Sequence, residues 1–368
     1  MNFTCPKRVF HEALQSVARA VATRSTLPIL GNVLLEARAG QLKFTTTDLE
    51  IGMTCTLPLD VSEEGAVTVP ERIIQDVVGN LPDAELTISS DERNLLTISA
   101  AKSQYTIHGL PATEFPTLPN VPRECVLSMP GPVVRDLVRK TLFSASTDEG
   151  RVILTGCLLA WDGQTTTMVA TDTHRLGIKR APATGKFPGT PVSVIVPARA
   201  LQEVLRLLGS SEDPVDIVIG ESQILFSNGR VELVSRLIEG QFPAYERVIP
   251  QDSSKHMVIN RQQFYDAVRR ASIVARAESN KIILRSVDST LTISAETGDV
   301  GKAYEEIPVS LEGDTVEIAF NAEYLQDVLG VLDTETVELG MAGPLNPGLL
   351  TANGEPDYQY VVMPMQML

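Results

Sequence analysis

The stretch Val192-Ser193-Val194-Ile195-Val196-Pro197, followed at once by Ala198–Leu208, decides how the chain is read. A run of β-branched residues favours an extended strand. Proline, with its preset φ and no amide hydrogen to leave unbonded, suits a helix start. Leu201, Val204, Leu205 and Leu208 then recur at helical spacing, the mark of an amphipathic helix laid on something apolar. The same unit of strand, turn residue and helix occurs six times along the chain.

In one class, Ala66-Val67-Thr68-Val69-Pro70 leads into Glu71–Asn80, and Val316-Glu317-Ile318-Ala319-Phe320-Asn321 into 322–332. In the other, Phe3-Thr4-Cys5-Pro6 precedes 7–22, Val126-Leu127-Ser128-Met129-Pro130 precedes 131–143, and Met257-Val258-Ile259-Asn260 precedes 261–276. Proline stands at four of the starts; asparagine, a capping residue, stands at the other two. Starts at Pro6, Pro130 and Asn260, and at Pro70, Pro197 and Asn321, recur at intervals of 124 to 130 residues. Strand-like runs lie between the helices of each pair, at Gln41–Thr47, 165–170 and 290–295, and further strands follow the second helix, as at 215–219, 224–226 and 231–234. Repetition on this scale is the strongest organisational signal a sequence offers. It predicts an α+β fold of three similar domains, 1–121, 122–252 and 253–368, each a doubled helix-plus-strands unit.

Charge adds a second constraint. The 368 residues carry a formal net charge of −15, which excludes a protein that merely coats nucleic acid electrostatically. Yet the six helical segments sum to +5 and the remainder to −20. A helix striped on one face turns the opposite face outward, so a net basic helical face sits within an acidic shell. At about 10 Å between axes, twelve helices trace a circumference near 120 Å. Subtracting a helix thickness of about 10–12 Å leaves a bore of roughly 25–30 Å, wide enough for a hydrated duplex. Two chains in a C2 ring supply twelve helices.

Other classes of protein are poorly served by these residues. Cys5, Cys55, Cys125 and Cys157 are far apart with no C-x-x-C pair, which reads as buried free thiols and not as zinc ligands or disulfides. The opening Met1–Lys7 lacks a basic segment and an apolar run, so the expectation is a cytoplasmic protein with no membrane association. None of His11, His108, His174 and His256 lies in a metal-ligating spacing, and Gly185-Lys186 lacks the rest of a phosphate loop. Asp172, His174 and Arg175 could be taken for a catalytic cluster, but with no nucleophile beside them they read as a polar corner. No enzyme activity, cofactor or metal is expected. A repeat-built scaffold that never meets DNA is the competing non-enzymatic reading.

Several stretches match a known family in order along the whole chain. These are Thr26-Leu27-Pro28-Ile29-Leu30-Gly31-Asn32, Thr46-Thr47-Asp48-Leu49-Glu50, Val169-Ala170-Thr171-Asp172-Thr173-His174-Arg175-Leu176, Val194-Ile195-Val196-Pro197, Gly240-Gln241-Phe242-Pro243-Ala244-Tyr245 and Tyr360-Val361-Val362-Met363-Pro364-Met365. In these the chain resembles the β subunit of bacterial DNA polymerase III, the sliding clamp. The resemblance implies three repeated clamp domains that close, as a homodimer, into a ring with helices inside and sheets outside. That ring is a processivity factor encircling double-stranded DNA without reading its sequence. By the same resemblance a pocket between the second and third domains binds short peptides, often ending in Leu-Phe, of the replicative polymerase's catalytic subunit and the clamp loader. Translesion polymerases and mismatch-repair or ligase proteins are implied as further clients.

Carried over position by position, the implied pocket comprises Leu154, Thr171, Thr173, His174, Arg175 and Leu176, then Pro243, Arg247 and Val248, then Val361, Val362, Met363, Pro364 and Met365. Its methionines suit a surface that adapts to several partners. The resemblance implies Arg24 and Arg151 as phosphate contacts; the charge reading of the helix faces adds Arg139, Lys140, Arg206, Arg269 and Arg270 as expected DNA contacts. Implied dimer contacts are Tyr105 and Ile107 against Ile273 and Val274. The chain departs from the family pattern in ending Pro364-Met365-Gln366-Met367-Leu368 where Pro-Met-Arg-Leu is common, in placing Thr173 where glycine often stands, and in having Asp148, Arg151, Val152 and Ile153 where some members have tyrosines.

Overall fold

In the computed structural model, which describes residues 1–22 and 25–367, the six expected helices are present. They are α1 (Lys7–Val17), α2 (Glu71–Asn80), α3 (Gly131–Thr141), α4 (Ala198–Leu208), α5 (Arg261–Ala275) and α6 (Ala322–Val331). Each follows directly on a strand. Pro6 and Pro70 hold φ near −58° and −54° with extended ψ, so the chain enters the helix already turned. At Asn260 and Asn321 the side chain instead accepts from the amides of Gln263 (3.0 Å) and Glu323 (2.9 Å), the capping role expected of them.

The first helical amide of α1, α3 and α5 donates to a carbonyl just ahead of a strand, Ala84, Asp213 and Glu335 respectively, each at 3.0 Å. One solution to the orphan-donor problem is thus used three times. The apolar stripes are buried as anticipated: Phe10, Ala13, Leu14 and Val17 of α1, Leu201, Val204 and Leu208 of α4, and Phe264, Ala267, Val268 and Ala271 of α5. Those of α1 lie on strands 41–47 and 51–58, and those of α5 on strands 290–297 and 301–312. Each fully buried Leu or Val contributes about 1.5–3 kcal/mol.

By compactness the chain divides into two units, Met1–Pro132 with Thr184–Gly189 and Arg199–Leu237, and Val133–Ala183 with Thr190–Ala198 and Ile238–Leu368. The first unit holds two antiparallel sheets. One runs 61–63, 2–6, 85–90, 95–100, 103–108; the other runs 184–186, 125–130, 214–219, 223–227, 231–236, 51–58, 41–47, 32–38, 65–70. The second unit holds one antiparallel sheet of twelve strands in the order 192–197, 156–161, 165–171, 175–182, 355–362, 348–352, 336–341, 255–260, 301–312, 290–297, 281–287, 317–321.

The central third of the sequence contributes strands to both units because the sheets run on through the repeats. In the first unit strand 51–58 pairs with 231–236, placing Ile51 opposite Ser235 and Cys55 opposite Val231. In the second, strand 175–182 pairs with 355–362, placing Arg175 opposite Val362 and Lys179 opposite Tyr358. These two junctions occupy equivalent places in successive repeats. Among the described residues, no helix is long and apolar enough to cross a membrane.

Candidate functional site

The junction of the second unit carries a recess, and a five-residue turn shapes its rim. Thr171 Oγ1 donates to the Arg175 carbonyl (2.7 Å) and accepts from the Thr173 amide (3.1 Å). Asp172 Oδ1 accepts from the amides of His174 and Arg175, both at 2.9 Å. This bonding lets the chain reverse between strands 165–171 and 175–182, and it forces Thr173 to φ +80°. That left-handed conformation is costly for a β-branched residue. The polar corner read from the sequence is therefore a turn-forming device, with the Asp172 carboxylate committed to it.

Arg175 is built into the wall. Its side chain is 12% exposed, and its Nε donates to Asp172 Oδ2 at 3.0 Å while Nη1 donates to Asp327. The guanidinium lies 4.5 Å from the Tyr324 ring centre and 5.6 Å from that of Phe143. Burial works against its charge, but the carboxylates of Asp327 and Asp172 and the oxygen of Tyr360, through its ionised form, outweigh burial and push its pKa up. The Tyr360 hydroxyl in turn donates to the Tyr324 carbonyl at 2.9 Å.

The recess has a volume of ≈ 180 Å³, room for one or two side chains. Eight residues singled out from the sequence line it: Thr171, Thr173, Arg175, Leu176, Pro243, Val248, Val361 and Met363. Ala244 and Tyr245 also line it and were missed, although both stand in or beside the quoted Gly240–Tyr245 motif. The floor belongs to a buried apolar cluster that includes Leu158, Val169, Leu176, Ile178 and Val361. At the mouth Val248 is 46% and Met363 38% exposed, large apolar groups left in contact with water.

Six of the expected pocket residues do not line this recess. Strand alternation sends Val361 and Met363 to one side and Val362 to the other, into the core under α5 and α6. Leu154 is buried. His174 turns away to stack on Tyr324 with ring centres 6.5 Å apart. Arg247 is exposed on the turn Tyr245–Val248. Pro364 and Met365 lie beyond the mouth, where the Met365 amide donates to the Ala319 carbonyl at 2.8 Å and ties the tail to strand 317–321.

The expected DNA contacts are mostly neutralised by nearby carboxylates. Lys140 is 3% exposed and held by Asp136 (2.9 Å) and Glu355, so its placement on an outward face is corrected. It fails because the end of α3 is covered by strand 355–362, which spacing within the helix could not reveal. Arg139 pairs with Asp333 and Arg206 with Glu203. Arg270 grips Glu305 through two bonds of 2.9 and 2.7 Å. Arg269, 60% exposed and 3.9 Å from Asp266, is the loosest of the group. Arg151 donates to Asp148 (2.9 Å) and to Thr173 Oγ1 (3.1 Å). Arg24 lies outside the described residues. Of the expected dimer contacts, Tyr105 is 46% and Ile273 67% exposed and Val274 is half-buried, whereas Ile107, 6% exposed, is packed into its own sheet.

Comparison with known proteins accounts for the whole chain. Residues 1–119, 128–244 and 246–366 match, in turn, the N-terminal, central and C-terminal domains of the DNA polymerase III beta subunit. The beta sliding clamp of Pseudomonas putida is 37% identical over 369 residues, and that of Synechocystis sp. 32% over 390, each covering 100% of both chains. Among solved structures, the DNA polymerase sliding clamp from Bacillus subtilis superposes with a TM-score of 0.96 at 29% identity. The DNA polymerase III subunit beta from Pseudomonas aeruginosa gives 0.93 at 36%, both over 100% of each chain. The repeats, the paired junctions and the recess therefore have one explanation: this chain belongs to the DNA polymerase III beta subunit family, the bacterial sliding clamps.

Proposed function

We propose that two copies of this chain form a closed ring around double-stranded DNA and act as the processivity factor of a replicative DNA polymerase, a non-enzymatic role. The three repeats, with boundaries near 1–121, 122–252 and 253–368, are its clamp domains. The carrying observation is a pair of unpaired sheet edges. Strand 103–108 ends its sheet, and residues 301–306 of strand 301–312 are paired on one side only. By the internal repeat, these are the counterparts of strands 231–236 and 51–58, which pair at the first junction. Tyr105 stands where fully buried Leu233 stands, and Tyr304, 66% exposed, where fully buried Ile178 stands. A second copy placed edge to edge would bury both, with Ile273 of α5 alongside. The repeat sets the register: Gly301 opposite Ile107 of the other copy, and Lys302 opposite Thr106.

In that ring the grip on DNA is topological. The salt-bridged arginines suit it, because cations already shared with carboxylates bind phosphates weakly and allow sliding. The recess takes peptide tails of the polymerase catalytic subunit and the clamp loader. Translesion polymerases and mismatch-repair or ligase proteins would use the same place. Its exposed Met363 and Val248 over an apolar floor support a hydrophobic anchor side chain. A cytoplasmic location follows from such a role.

The test is a double variant, Thr106→Cys with Lys302→Cys, in an otherwise unchanged chain. Oxidation should yield a covalent species of twice the chain mass, with each single variant remaining uncrosslinked. A chain that stays monomeric at micromolar concentration and gives no crosslink would overturn the ring.

A further inference from the structure

The first unit contains a second recess built on the plan of the first. Its turn repeats the same bonds: Thr47 Oγ1 donates to the Ile51 carbonyl (2.9 Å) and accepts from the Leu49 amide (3.0 Å). Asp48 Oδ1 accepts from the amides of Glu50 (3.0 Å) and Ile51 (2.9 Å). Leu49 sits at φ +78°, as Thr173 sits at +80°. Gly52 opposes Val234 as Leu176 opposes Val361. The Arg236 amide donates to the Glu50 carbonyl (3.2 Å) as the Met363 amide does to that of His174 (2.8 Å). A linker beginning Phe-Pro borders each, at Phe115-Pro116 and Phe242-Pro243, and this recess measures ≈ 220 Å³.

Two differences set its chemistry. Gly52 has no side chain where Leu176 has one, and Leu118 of the linker fills that space; a Cβ on Gly52 would lie 2.5 Å from Leu118 Cδ2. Leu118 therefore supplies apolar surface by another route, in a lining that also includes Thr117, Gln223 and Ser235. At the mouth, Arg236 replaces Met363. Among the described residues Arg236 is exposed with no side-chain partner, while Asp48 and Glu50 are both engaged by Arg199. Leu49, 46% exposed, stands beside it. Arg199 is shared between two carboxylates, so the mouth is near neutral overall. The local feature is an Arg236 guanidinium whose donors are unused beside the apolar Leu118 and Val234, which is complementary to an apolar side chain next to a carboxylate that reaches it.

We propose that this recess is a second peptide site, selecting a short extended segment that presents an apolar side chain beside a carboxylate. The proposal rests on the peptide reading of the recess in the second unit, through the shared plan. It is the weaker of the two sites, since one solvent-exposed cation must hold an acidic ligand to an acidic protein.

The experiment uses the full chain with labelled Leu, Val and Met methyls and, as probe, acetyl-Gly-Asp-Leu-Phe with a free carboxylate. The Leu49, Leu118 and Val234 methyls should shift along a saturation curve separate from that of Leu176, Val361 and Met363. Arg236→Ala, a surface change, should weaken the first curve about 5-fold and leave the second unaltered. A probe with both carboxylates removed, acetyl-Gly-Asn-Leu-Phe amide, should do the same. Methyls at Leu49 and Val234 that stay still up to roughly 5 mM probe, or a first curve indifferent to Arg236→Ala, would overturn the proposal. Silence at Leu176, Val361 and Met363 would count separately, against the site in the second unit.

Discussion

Replacing Arg175 with alanine should destabilise the second unit by about 3–4 kcal/mol. A charge-assisted hydrogen bond in a buried setting is worth about 1.5–3 kcal/mol, and the bond to Asp172, whose side chain is 14% exposed, falls in that class. The bond to Asp327 is discounted to about 1 kcal/mol because that carboxylate is 35% exposed. Contact with the Tyr324 and Phe143 rings adds about 0.5–1 kcal/mol each. Release of the arginine's own burial cost offsets part of the sum. For a cooperative unit of this size the loss corresponds to a fall in melting temperature of roughly 6–15 °C. Calorimetry on Arg175→Ala and Arg175→Lys provides the test, with lysine intermediate because it keeps the charge but loses the planar fork. If the alanine variant melts within about 2 °C of the parent, Arg175 is not the structural clamp described here and its assignment to the wall of the recess is wrong.

Other outcomes follow from single contacts. Both ring nitrogens of His256 face acceptors, Glu338 Oε1 at 2.6 Å and the Ser253 carbonyl at 2.7 Å, so the protonated ring is favoured and its pKa is raised, first by the Glu338 bond. Its stabilising effect is complete below the unfolded value near 6.5 and is lost as pH climbs through the raised folded value. An NMR titration should show that rise, and His256→Ala should remove it from the pH dependence of melting. Burial pushes the Cys157 thiol up to about 12 and Cys5 to about 11. A disulfide reagent at pH 8 should accordingly label the folded chain slowly and the unfolded chain at once; rapid native labelling at these two positions would contradict their burial. Deleting residues 365–368 severs the Met365–Ala319 bond that follows Met363, so a Leu-Phe peptide should lose at least about 10-fold in affinity, near 1.4 kcal/mol, with dimerisation intact. Unchanged affinity would place the peptide elsewhere.

The strand–turn–helix unit was legible because its signals are local: β-branched runs, a proline or asparagine, then apolar spacing. The caps at Asn260 and Asn321 and the stripe on α4 follow from those signals alone. What escaped depends on distant chain. Lys140 reads as an outward basic residue until strand 355–362 covers it. Val362 stands in one apolar run with Val361 and Met363, and strand alternation separates them only once the pairing with 175–182 is fixed. Tyr324 carries no motif; it matters because α6 brings its ring against Arg175 and His174. The two compact units were hidden for the same reason, since repetition marks where the sequence restarts and not where the sheets end. The second recess was legible in principle, because Thr47-Asp48 and Thr171-Asp172 stand in plain register, but it takes the matching turn bonds and the shared φ of Leu49 and Thr173 to show that the two turns are the same object.

Encirclement predicts that the hold on DNA is mechanical. The most direct measurement assembles the protein on a nicked circular plasmid with a clamp loader and ATP, washes in high salt, and then cuts the plasmid once. A closed ring should survive the wash on the circle and leave through the new ends after cutting. Protein that washes off the intact circle, or that stays on the linear molecule with free ends, would contradict encirclement.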